Sequence, residues 1–246
     1  MTRRIILALS LLALASPIVY AQQPRATRGI VAVNGGWQAS NRTFSDSFTF
    51  DQYAESGRVD VDYDIKAGPV FEGGLGVQLW KALGAGVSFS SYTDTSPATV
   101  SATVPHPFFF SRAREIEGTV NTKREETTIH AQILAFVPAG SRVLLVLSAG
   151  PSYLTVRQTL VSTARWDESY PYDTATFRTP DTVTPSESVM GFNAGADFVF
   201  RFGRSFGLGA LVRYTQGKVD VSPAEGRTMT IDAGGLQAGG GIRVIF

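Results

Sequence analysis

A histidine and two serines in this sequence are placed to suggest nucleophilic catalysis. His130 lies on one alternate-residue face with Gln132, and the next alternating segment puts Ser148 and Ser152 on a comparable face. A serine becomes a nucleophile when a base takes its proton, so a Ser–His neighbourhood raises a hydrolase or acyl-transfer reading. That chemistry also needs a group to orient the imidazole and donors for an oxyanion. The sequence offers no identifiable orienting acid and no nucleophile-elbow motif, so His130 is expected to pack rather than to react, and no catalytic residue is assigned. Asp60, Asp62 and Asp64 could offer oxygens to calcium, but their spacing is one strand face and not a looped cage. A solvated acidic face is expected there. His106, between Pro105 and Pro107, reads as a loop residue.

Composition removes other chemistries. With no cysteine there is no disulfide, thiolate metal site or cysteine nucleophile. No zinc signature or glycine-rich phosphate loop occurs, so no metal or cofactor is expected. A formal charge of +1 gives no electrostatic reason to expect nucleic acid.

The segments that carry these residues alternate with period two, the signature of strands with one oily and one wet side. Val31, Val33 and Trp37 share a face within Ile30–Gln38. Phe71, Leu75, Val77 and Leu79 do so within Gly68–Trp80, opposite Glu72, Gly74, Gly76 and Gln78. Ala85, Val87 and Phe89 oppose Gly86, Ser88 and Ser90, and that strand is expected to run on through Thr99–Val104 before Pro105. Further strands are predicted over Ile129–Val137, Val143–Tyr153, Met190–Phe202, Phe206–Tyr214 and Leu236–Phe246, making eight. Three short links, Lys81–Gly84, Pro138–Ser141 and Gly203–Ser205, fall at one end with both termini. The strictly alternating Arg58–Ile65 carries three aspartates on one side, costly against lipid, and is therefore placed beyond a membrane.

The N-terminus reads as a secretory signal peptide over 1–21: Arg3-Arg4, an apolar run from Ile5 to Ala15, Pro17, and a small-residue site ending at Ala21. Cleavage leaves one domain, 22–246. It also leaves 20 Lys and Arg against 21 Asp and Glu, moving the charge from +1 to −1.

With eight alternating strands, three tight turns at one end and a closing Phe246, the mature chain resembles the small OmpA/OmpX-like class of bacterial outer-membrane proteins. The resemblance covers nearly the whole mature chain and rests on pattern and spacing. It implies an all-β fold, a closed antiparallel up-and-down transmembrane β-barrel of eight strands with short periplasmic turns and long extracellular loops. It implies outer-membrane localisation, outer-membrane lipids as surroundings, and passage through periplasmic chaperones and the barrel-assembly machinery, with Ile242, Val244 and Phe246 as the assembly signal.

A secreted soluble barrel shares the period but reverses the faces. Three details favour the membrane arrangement. The wet row is crowded with Gly and Ser rather than Lys and Glu. Aromatics sit near the ends of the oily row, with Phe202, Phe206 and Phe246 at the short-turn end and Tyr153 and Tyr214 at the other. The signal peptide directs the chain out of the cytoplasm.

An eight-stranded barrel is filled by its own side chains, so the wet rows are expected to form a lumen polar network of Glu72, His130, Asp197, Arg201, Arg213 and Arg243. A turn at Gly203–Ser205 sets Gly195 opposite Arg213 and predicts an Asp197–Arg213 ion pair. The expected function is non-enzymatic: a wall displaying loops Asn41–Asp64, Pro105–Glu117 and Arg165–Glu187 to an extracellular ligand the sequence does not name. The alternatives are a narrow channel for small or apolar solutes and a lipid-modifying enzyme. Phe108–Phe110, at a loop tip, is expected either to touch the outer leaflet or a partner, or to pack against neighbouring loops.

Overall fold

A computed structural model describes residues 28–39 and 42–246. The predicted signal peptide lies outside the described residues. The elements are β1 (Gly29–Ala39), β2 (Arg42–Gln52), β3 (Glu55–Ile65), β4 (Gly68–Trp80), β5 (Leu83–Val104), β6 (Arg114–Pro138), β7 (Val143–Gln158), β8 (Leu160–Glu168), β9 (Ala175–Val183), β10 (Ser186–Arg201), β11 (Phe206–Ala224) and β12 (Arg227–Ile245).

Eight of these close a ring. Antiparallel pairing runs β1–β4–β5–β6–β7–β10–β11–β12 and returns from β12 to β1. Closure leaves no unpaired sheet edge around the ring, the arrangement required where no water can satisfy the backbone. The three short links predicted from sequence do lie at one end, as tight connections after β4, β6 and β10.

The other end departs from the predicted loops. Asn41–Asp64 and Arg165–Glu187 are mostly β-hairpins that carry the wall onward. β2 and β3 pair from Arg42↔Ile65 to Gln52↔Glu55, in line with β1 and β4. They close at Tyr53-Ala54, both at positive φ, as a tight two-residue hairpin demands. β3 lies against β5 just beyond β4, Tyr63↔Ala98 following Val70↔Tyr92. β8 and β9 likewise extend β7 and β10, Leu160↔Val183 following Arg157↔Ser186. Between Pro105 and Glu117 the only non-strand stretch is 105–113, because β6 already begins at Arg114. The final hairpin is longer than predicted at both arms, turning at Glu225-Gly226.

These extensions escaped the sequence because the faces exchange character part-way along each strand. In β5 the outward row is Leu83, Ala85, Val87 and Phe89, then Ser91, Thr93, Thr95, Thr99 and Ser101. The inward row does the reverse: Ser88 and Ser90 are buried low down, Ala98, Val100, Ala102 and Val104 higher up. β6 repeats the exchange, outward Glu125 and Thr127 giving way to Ile129, Ala131, Ile133 and Val137. β11 does so between outward Tyr214 and Gln216. One half is therefore oily outside and polar within, and the other polar outside and oily within.

The distal interior is a continuous apolar core. Val59, Val61 and Tyr63 of β3 pack with Val100 and Val104 of β5, Leu160 and Val161 of β8, and Val219, Val221 and Ile231 of the last hairpin. Phe44 stacks on Tyr63 with ring centroids 4.6 Å apart, and Tyr63 Oη accepts the Val161 N–H at 2.8 Å. Burial pushes the Tyr63 phenol up to about 12, since the charged form would lose its water. Each aliphatic side chain so buried contributes roughly 1.5–3 kcal/mol against exposure. That is how a hairpin crown stands in water without a membrane around it.

Candidate functional site: the polar lumen and the distal tip

In the proximal half the inward rows meet across a narrow interior. Arg243 of β12 is fully buried and binds Asp197 of β10 in a two-pronged contact, Nε to Oδ2 and Nη2 to Oδ1, both 2.7 Å. β11 lies between those strands, and the guanidinium crosses it above Gly209, where a Cβ would stand 2.5 Å from Arg243 Cζ. The missing side chain at Gly209 is what lets this pair form.

Arg213 takes a different partner from the one predicted. Gly195 does face Arg213, but Arg213 Nη2 reaches Glu72 Oε1 at 2.7 Å on the far wall, while Asp197 is held by Arg243. The observed pairing engages both carboxylates and both arginines, so none of these four charges is left uncompensated in the lumen, which would cost several kcal/mol. Arg201 lies at the short-turn end, its backbone N–H on Arg142 O at 2.7 Å, and joins neither pair.

His130 is fully buried, with Ser90 Oγ 3.2 Å from Nε2 and Ser152 Oγ 2.8 Å from Nδ1. Asn193 also donates from Nδ2 to Ser152 Oγ and accepts from Gln132 Nε2 on its Oδ1, both at 2.8 Å. The Ser–His neighbour exists, but both ring nitrogens face serine hydroxyls, leaving no ring nitrogen for an orienting carboxylate. A further polar layer, not predicted from the sequence, lies above it. Arg124 Nε donates to Glu126 at 2.6 Å, and Glu126 accepts from Gln38 Nε2 and the Gly234 N–H, both 3.0 Å. Arg124 and Glu126 sit two apart on the inward row of β6, and that spacing in Lys123-Arg-Glu-Glu126 was the available signal.

Apolar clusters flank the polar layers at both ends. Ile30, Leu134, Phe136, Leu144, Val146, Val199 and Ile245 cluster at the short-turn end, and the distal core closes the other. A cavity of about 50 Å³ touching Glu72, Ser88, Gln132, Ser148 and Asp197 has room for a few waters and little else.

Outside, the proximal wall is apolar all round. Val33, Trp37, Phe71, Leu79, Ile133 and Phe198 are all more than half exposed. Soluble monomers rarely expose continuous apolar surface beyond a few hundred Å². From Ile129 to Val137 the belt climbs roughly 21 Å, taking a rise of ~3.4 Å per residue and a tilt of ~40°, close to the ~25 Å apolar band of transmembrane barrels. Trp80, Phe202, Phe206 and Phe246 rim the short-turn edge, and Trp37, Tyr153, Phe192 and Tyr214 the other. This wall is built to be solvated by lipid.

Ile242, Val244 and Phe246 all point out of that wall. Phe246 closes the seam, its carbonyl accepting from Arg28 and Gly29 and its N–H donating to Gly29 O at 3.1 Å. Its ring lies over Gly29, where a Cβ would come within 2.5 Å.

At the far end, three hairpin tips converge. Ser111 N–H donates to Glu55 at 2.6 Å, Tyr53 Oη to Glu168 at 2.9 Å, and buried Arg114 bridges Glu168 at 2.7 Å and Tyr172 O at 3.1 Å. His106, a loop residue as predicted, is buried and accepts the Phe108 and Phe109 N–H groups on Nδ1, at 3.1 and 3.2 Å. The aspartate row of β3 faces outward and is compensated locally: Asp60 by Arg58, Asp62 by Ser45 and Asp64 by Lys66. The bonded Arg58 guanidinium holds the Asp60 carboxyl below its ordinary range.

The class these features define is a closed eight-stranded antiparallel barrel of the outer-membrane type, with an apolar girdled wall and a packed polar lumen. This chain matches no protein-family model and no curated protein. Among solved structures it is similar to the outer-membrane protein OprG from Pseudomonas aeruginosa, at 10% identity and a TM-score of 0.49, covering 92% of this chain and 99% of that one. Neisserial surface protein A aligns at 16% identity and a TM-score of 0.44, over 89% and 96% of the two chains. Ail of Yersinia pestis, solved with the heparin analogue sucrose octasulfate, aligns at 13% and 0.39, over 88% and 99%.

Proposed function

We propose that this protein is an integral outer-membrane barrel without catalytic activity, a sealed scaffold that holds rigid β-hairpin extensions at the cell surface. The observation that supports this reading is the exchange of faces along β5, β6 and β11: an outward apolar row ends at an aromatic girdle, and beyond an intervening buried polar layer the apolar row lies inside. A wall of that kind suits lipid below and water above. Its natural surroundings are outer-membrane lipids, and Ile242, Val244 and Phe246 serve as the signal read by the assembly machinery and its chaperones. The absence of catalysis is supported by the enclosure of His130 and Ser152 among lumen side chains, where an acyl chain has no path. A scaffold rather than a conduit is supported by the apolar clusters capping both ends of the lumen.

The purified protein is expected to resist detergent and to migrate differently before and after boiling, and to give no steady conductance in a planar bilayer. Lipid A from cells making the wild type and His130→Ala is expected to be identical. Stable open-channel currents, or a lipid A change that His130→Ala abolishes, would contradict the scaffold.

A further inference from the structure

The distal tip exposes aromatic surface that the scaffold itself does not use. Phe108, Phe109, Phe110 and Tyr170 are 67%, 54%, 75% and 84% exposed. They are not a loose loop. His106 fixes the backbone of two of them, Phe108 meets Tyr172 edge-on at 5.5 Å, and Arg112 pairs with Asp173 at 3.4 Å while stacking on Phe109. A platform this well tied keeps apolar rings in water at a standing cost, and contact with an apolar phase relieves it.

The position excludes the protein's own membrane. From Ser91, where β5 leaves the apolar belt, to Val104 the strand climbs on the order of 30 Å. The tip therefore stands well clear of the outer leaflet from which the barrel rises.

We propose that the distal tip is a docking surface for a zwitterionic phospholipid bilayer presented from outside, such as that of another cell or vesicle. This rests on the reading of the protein as a surface scaffold. Shape and charge select the occupant. The rings lie on the turns that end the β5–β6 and β8–β9 hairpins, the outermost points of the wall, where a soft phase can meet them. Tyrosine and other amphipathic rings settle at the headgroup level of a bilayer. Arg112 and Arg114 are spent on Asp173 and Glu168. Glu55 remains beside the turn, and Asp51 and Glu115 are exposed on the outward faces of the neighbouring strands, so an anionic surface is repelled and a neutral one is not.

The test is flotation of the full barrel, held in nanodiscs, with phosphatidylcholine vesicles. The wild type is expected to float with the vesicles. The double variant Phe110→Ser/Tyr170→Ser, which changes two of the most exposed rings, is expected to lose at least tenfold in bound fraction. Phe110→Trp is expected to shift its emission to the blue when vesicles are added. Adding phosphatidylglycerol to the vesicles is expected to weaken binding. Unbound wild type, undiminished binding by the double variant, or binding that requires anionic lipid overturns the proposal, and so does capture of a soluble protein with no vesicle binding. Heat-modifiable migration and bilayer silence are scored on the same preparation, so a sealed scaffold that ignores vesicles refutes the tip alone.

Discussion

Asp197→Ala is expected to destabilise the barrel by about 3–5 kcal/mol, because it leaves the buried Arg243 guanidinium without its countercharge. Arg243 is fully buried and both of its donors to Asp197 are at 2.7 Å. Alanine keeps the backbone and removes only the countercharge, so the loss reads the orphaned cation more than the missing contact. The double replacement Asp197→Ala/Arg243→Met removes both charges and fills the space. It is expected to recover most of the loss, since well-packed apolar substitutes often match a buried pair. Urea unfolding from lipid vesicles measures all three proteins. Glu72→Ala is expected to behave like Asp197→Ala, through Arg213. If the Asp197 and Glu72 variants each lose less than 1 kcal/mol, the lumen is wetter than these contacts imply.

The second large effect comes from placing one arginine at three positions along β5. Thr99 faces outward above the girdle, and Thr99→Arg is expected to change stability by less than about 0.5 kcal/mol, as surface replacements do. One residue on, Val100 is buried in the distal core, and Val100→Arg is expected to cost on the order of 3–5 kcal/mol for an unpaired internal charge. Val87 shares the outward row with Thr99 but lies in the belt, half exposed. Val87→Arg is expected to cost about 2–4 kcal/mol, as a cation facing lipid at depth. The same substitution on the same face is thus tolerated at 99 and penalised at 87. Only a change of solvent between those positions gives that result. Equal tolerance at 87 and 99 would show water along the whole outer wall.

Much of this architecture was legible in the sequence. Alternation in the proximal strands, the three short turns and the closing Phe246 carried the barrel, and the phase that put Glu72, Asp197, Arg213 and Arg243 inward is the phase observed. Strand pairing was legible too at the Gly203–Ser205 turn, where Gly195 faces Arg213. Partner choice was not. Asp197 meets Arg243 through the space above Gly209, and a contact that crosses an intervening strand has no local signature. The extensions were hidden for a related reason. Asn41–Glu55 holds Phe44, Phe48 and Phe50 in alternate register, with Asp46 in the same row bound by Arg227 at 3.7 Å. A single polar member breaks the apparent period, and a row that is oily within the crown looks like the oily row that faces lipid below. Periodicity reports that two faces differ. It does not report which solvent each face meets.

A nitroxide scan along β5 reads that change of solvent position by position. A single spin label at each outward position of β5, from Leu83 through Phe89 to Thr103, is to be compared for collisions with oxygen and with a water-soluble nickel complex in reconstituted vesicles. Labels at 83, 85, 87 and 89 are expected to be oxygen-rich and nickel-poor, with a crossover at 91 to 93 and nickel-rich labels from 95 onward. Nickel access along the whole row would contradict it, and the protein would then be a water-soluble barrel with its apolar belt covered by something other than lipid.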